Sequence, residues 1–66
     1  MSNTEVQMWL ERDYKDNLTL HEVKPKVNKK TGDIFAYGFY TDLNPCLFKE
    51  VTMNNSPVKV TLTINN

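Results

Sequence analysis

A single histidine, a single cysteine and two carboxylates spaced two residues apart are the side chains of this 66-residue chain whose types could do chemistry. His21 could serve as a metal ligand or general base only if other His, Cys or carboxylate groups converged on it. Its neighbour Glu22 points to the opposite face of a strand, so His21 reads as an ordinary strand residue. Cys46 follows Pro45 in a turn, and Lys49 is the nearest cation that could favour a thiolate; it reads as a small, semi-buried residue. Glu11 and Asp13 on a strand share a face at about 6–7 Å. That spacing suits paired-carboxylate chemistry or a cation, and the plainer reading is a solvated charged face beside Arg12. Asp13, Asp16 and Asn17 lack the spacing and the closing Glu of a calcium loop. The chain has no phosphate-binding glycine loop, nucleophile elbow, zinc spacing or dinucleotide fingerprint. The sequence therefore assigns no catalytic residue, no metal ligand and no cofactor, and an enzyme is not expected.

Charge is concentrated in one place, at Lys24, Lys26, Lys29 and Lys30. With Phe35 and Tyr37 as stacking platforms, these lysines could track a single-stranded nucleic acid, or hold a nucleotide signal between subunits. They could equally solvate a hairpin and keep a sheet edge from aggregating. Eight basic residues balance eight acidic ones, and a nucleic-acid binder is normally basic overall.

The elements that would position these residues are strands. The cleanest is 58–64, where Val58, Val60, Leu62 and Ile64 alternate with Lys59, Thr61 and Thr63. Residues 33–41 carry Phe35, Tyr37 and Phe39 on one face and Ile34, Ala36, Gly38 and Tyr40 on the other, which predicts a strand that is central in the sheet, or covered on its second side by another subunit. Residues 47–53 place Leu47, Val51 and Met53 together as a further strand. Residues 5–13 alternate as a strand, with Trp9 breaking the pattern; a short helix over 4–16, capped by Thr4, is the alternative. Residues 18–24 form a strand if a bulge near His21–Glu22 brings Val23 into phase, and Pro25 ends it or puts it at an edge. Turns fall at 14–17, 27–33, 42–46 and 54–57. The expected fold is all-β, a small antiparallel meander or open barrel of about five strands in a single domain, 1–66.

A domain of this size buries only about 60% of the surface that its unfolded chain exposes. Natural chains this small usually add disulfides, a metal or a second subunit. A lone cysteine excludes an internal disulfide, so self-association is expected. The chain has no apolar run of membrane-spanning length and no signal-peptide pattern, which predicts a cytoplasmic protein with no membrane partner. Eight Asn, with seven Lys against one Arg, fit an AT-rich genome.

Two stretches occur together in a recognisable way. Trp9-Leu-Glu-Arg-Asp13, followed by Leu18-Thr-Leu20 and Lys24-Pro25, resembles W-x-A-R-D-x-D-G-x-L-x-L…K-P, a pattern of short bacterial and phage proteins with no established activity. The run from Leu47 to Val58 resembles their L-F-P-E-V-T-W-E-N-S-P-x-E-V ending. The likeness covers most of the chain in order. It departs at Glu11, where the pattern has a small residue, at Asn17 for the turn glycine, at Lys49 for proline and at Met53 for tryptophan. The resemblance implies a hairpin over residues 5–25 and a phage or prophage gene; it transfers no site residue. The resulting expectation is a non-catalytic homo-oligomer that binds and inhibits a bacterial host protein, with Trp9, Tyr14 and Tyr40 as exposed anchors.

Overall fold

The computed structural model describes residues 3–65, and these contain strands and turns but no helix. Six strands follow in order: β1 (Asn3–Arg12), β2 (Leu18–His21), β3 (Lys26–Val27), β4 (Ile34–Phe35), β5 (Tyr40–Leu43) and β6 (Val58–Asn65). β5, β2, β1 and β6 make one antiparallel sheet in that spatial order, and β3 and β4 form a separate small hairpin. The all-β expectation holds, and the N-terminal segment is strand rather than helix.

Residues paired across antiparallel strands share a face. The register therefore sorts the sheet. Leu10 lies opposite Leu20 and Val58, Arg12 opposite Leu18, and Leu18 opposite Leu43. This apolar face packs beneath residues 44–57, whose Val51 completes a core with Leu10 and Leu18, flanked by Leu20, Leu43, Val58 and Val60. The other face carries Trp9 opposite His21 and Lys59, and Glu11 opposite Thr19. It is covered by an arm, residues 22–39, that contains the β3–β4 hairpin. β1 is thus sandwiched at its C-terminal end, where Leu10, Glu11 and Arg12 are all buried.

Two predicted strands are corrected. Residues 47–53 form turns, with Leu47 N–H donating to Asn44 O and Val51 N–H to Phe48 O. The reason is Arg12. Its Nε donates to Val51 O at 2.7 Å, Nη1 to Asp16 O and Pro45 O at 3.2 and 3.0 Å, and Nη2 to Leu47 O and Phe48 O at 3.0 and 3.1 Å. A guanidinium has five N–H donors, and all five are used. Carbonyls turned toward Arg12 are not available to a strand ladder.

The predicted central strand 33–41 is also divided. Ile34–Phe35 belongs to the arm, and Tyr40–Leu43 joins the main sheet at its edge beside β2. Gly38 makes the break at φ +70°, a conformation that L side chains rarely adopt. A Cβ there would meet Glu22 Oε1 and Val23 Cγ2 at 3.0 Å, so glycine also permits the close approach at which Glu22 N–H reaches Phe39 O at 2.9 Å. β2 stops at His21 and no bulge brings Val23 inward; Val23 is exposed.

The turn at 13–17 is built by Asp13, whose carboxylate accepts from Lys15 N–H and Asn17 N–H at 2.8 and 2.9 Å and from the Asn17 amide at 3.0 Å. On the opposite side, buried Ser56 ties the loop to β1. Its Oγ accepts Arg12 N–H at 2.9 Å and donates to Thr52 O. Ser56→Ala strands the buried Arg12 amide and is expected to cost about 1–3 kcal/mol, read as a lowered urea midpoint at unchanged m-value. A loss under a few tenths would mean that this amide finds another acceptor.

Candidate functional site

Beneath the arm lies a buried polar pair: Glu11, which the sequence suggests is part of a solvated charged face, and His21, which reads as an ordinary strand residue. Glu11 and His21 are each 2% exposed, and Glu11 Oε1 stands 3.5 Å from His21 Nε2. Neither imidazole nitrogen nor Glu11 Oε2 has a hydrogen-bond partner among the described residues. Burial, with a smaller push from Asp13, raises the Glu11 pKa from 4.5 to about 7 against the opposing pull of Lys29. Burial lowers that of His21. Both effects favour an uncharged pair, since an ion pair out of water must overcome a large desolvation penalty. The residues are adjacent because β1 and β2 pair Trp9 with His21 and Glu11 with Thr19, which makes Glu11 and His21 diagonal neighbours on one face. The alternation that put Trp9 on the polar side was therefore genuine, and that side is roofed by a segment more than ten residues away in sequence.

Among the described residues no third acid or base is hydrogen-bonded to the pair's free atoms. Asp13 is spent on its turn, Cys46 is exposed in the loop on the other face, and no group of three or more metal-ligating side chains occurs among the described residues.

The four lysines do not form one groove. Lys24 Nζ lies 5.2 Å above the Trp9 ring, a cation–π contact that leaves Trp9 half-buried rather than exposed as expected. Lys29 Nζ donates to Met53 O and Ser56 O at 3.2 and 2.9 Å and so ties the arm to the loop on the opposite face. Lys26 and Lys30 are exposed. Tyr14 and Tyr40 are exposed, and Tyr40 lies beside His21 at a ring separation of 5.9 Å. Phe35, Tyr37 and Phe39, read from sequence as a buried strand face, are 56%, 49% and 61% exposed along the arm. Phe39 and Val23 extend the candidate surface beyond the residues that sequence singled out.

No helix among the described residues is long and apolar enough to cross a membrane. Comparison with family models, curated proteins and solved structures finds no match for the chain.

Proposed function

We propose that this chain is a non-catalytic protein-binding module whose arm, residues 22–39, together with the adjoining Tyr40 of β5, is the contact surface. The observation that carries the proposal is the run Phe35, Tyr37, Phe39 and Tyr40, four aromatic side chains in six residues, each about half exposed or more. Aromatics supply most of the energy at protein interfaces, and exposed apolar clusters of this kind mark binding surfaces. Four lysines on the same arm against Glu22 and Asp33 fit a partner with an apolar pocket and an acidic rim. The likeness of Trp9–Pro25 and Leu47–Val58 to short bacterial and phage proteins supports a bacterial host protein as the partner and inhibition as the outcome.

The test is affinity capture from bacterial lysate with the tagged chain and with a Tyr37→Ser/Phe39→Ser variant, each with and without nuclease. Both positions are exposed, so the variant keeps the wild-type circular dichroism spectrum. A stoichiometric protein that survives nuclease and is at least tenfold depleted with the variant is the expected result, equivalent to about 1.4 kcal/mol or more. Equal recovery by both chains, or loss on nuclease treatment, would count against the arm as a protein-binding surface.

A further inference from the structure

We infer that two copies of this chain join edge to edge along β6 to form one continuous eight-stranded sheet. The inference stands apart from the arm, which lies on the opposite face from the apolar surface used here.

β6 is an outer strand of the four-stranded sheet, with β1 on one side and no strand on the other among the described residues. Proteins normally blunt such an edge with proline, a bulge, charge or a covering loop. Here eight consecutive residue pairs join β6 to β1 without a bulge, and between Val58 and Ile64 there is no proline and one charge, Lys59. The sheet is also unfinished at this end. β2 pairs only with Trp9–Arg12, so residues 3–8 and 60–65 extend past it as a two-stranded ribbon. An isolated two-stranded ribbon is marginal in water. Its apolar side leaves Val6, Leu62 and Ile64 exposed, next to an open cleft of about 220 Å³ lined by Met8, Leu20, Phe48 and Val60.

The occupant that fits is a second copy, because β6 is self-complementary. An antiparallel pair with its two-fold axis at Thr61 sets Val60 opposite Leu62 and Val58 opposite Ile64. Lys59 then faces Thr63 of the other copy. Apolar residues meet apolar residues on one face, and no like charges are opposed. Slipping by one residue would set apolar against polar throughout, and an axis at Lys59 would oppose two ammonium groups. A net charge of zero leaves no general repulsion between copies. The surface points the same way: it measures 4888 Å², against about 4,300 Å² for a compact monomer of 7.7 kDa. The excess of roughly 600 Å² approaches the ~800 Å² that one partner contributes to a standard interface.

Sedimentation equilibrium on the full chain tests the inference. The expected mass is twice 7.7 kDa, that is 15.4 kDa, at concentrations up to roughly 100 µM. Thr61→Lys places two ammonium groups at the axis and is expected to halve the mass while leaving the circular dichroism spectrum unchanged. Cys46→Ser combined with Thr61→Cys provides a second reading, because two thiols at the axis form an intermolecular disulfide on mild oxidation. A wild-type chain that stays at 7.7 kDa throughout overturns the inference. So does a dimer that neither dissociates with Thr61→Lys nor cross-links through position 61.

Discussion

Arg12→Ala is expected to remove about 3–5 kcal/mol of stability, because five main-chain oxygens lose their donor together and a buried side-chain site is emptied. A domain of this size has little more than that in total. The variant should therefore show no cooperative urea transition at 25 °C, and its circular dichroism should lose the strand signal. The guanidinium bonds set this cost. Its five donors end on five main-chain oxygens drawn from the turn at Asp16 and the loop at Pro45–Val51, and the side chain is only 5% exposed. The ion pair with Asp16 at 3.5 Å adds little, because Asp16 is 65% exposed and well screened. Arg12→Lys separates charge from geometry. An ammonium offers three donors without the planar fork and leaves at least two carbonyls unpaired, for an expected loss of about 2–3 kcal/mol. If Arg12→Ala cost less than about 1 kcal/mol, the hydrogen bonds within the loop's own turns would be sufficient to hold it.

The second large effect concerns pH. In the unfolded chain between pH 4.5 and 6.5, Glu11 is ionised and His21 protonated; in the fold, burial favours the acid form of Glu11 and the neutral form of His21. Folding then moves one proton from imidazole to carboxyl with little net uptake, and the two contributions oppose each other. Glu11, with its pKa raised, contributes stability that is full below pH 4.5 and lost as pH rises through about 7. His21, with its pKa lowered, contributes stability that is full above pH 6.5 and declines as pH falls below it. The wild-type urea midpoint should vary little across pH 5–6.5 for this reason. Single substitutions uncover the slopes. His21→Gln should lose about 3 kcal/mol between pH 4.5 and 8, the linkage equivalent of a carboxyl pKa moved from 4.5 to about 7. Glu11→Gln should slope the other way below pH 6.5, gaining stability as pH rises. Parallel pH profiles for the two variants would show that the two groups do not oppose each other in this way.

The strands that could be read from sequence were those whose pattern depends only on their own residues. β6 alternates because one face meets the core and the other meets water, and Val58 to Ile64 record that directly. The stretch 47–53 imitates the same alternation, but its carbonyls answer to an arginine more than thirty residues earlier, and no local pattern encodes that. The aromatic run at 35–40 misled in another way. Large apolar residues on both faces suggest a covered strand, yet Gly38 breaks the segment and leaves its side chains in solvent. Glu11 shows the converse. A carboxylate beside Trp9 on one strand face reads as surface, and the arm that covers it is placed by distant anchors such as the Lys29 bonds to Met53 and Ser56. The candidate surface was legible in residue type and only partly in position: Tyr14 and Tyr40 are exposed, Trp9 is not fully so, and Phe39 was assigned to the interior.

Arg12 grips main-chain oxygens, and every residue type supplies one. The side chains of Pro45, Cys46, Leu47, Phe48, Lys49 and Glu50 all face solvent to a substantial degree and take no part in that grip. Shape and sequence are thereby largely uncoupled along this loop, Phe48 apart, whose φ of +48° and place beside the apolar cleft tie it to the fold. Its path is dictated from β1, while its letters are left open to drift or to selection, so a lineage carrying this fold could rewrite the surface of residues 45–50 many times over without having to invent a new way of folding it.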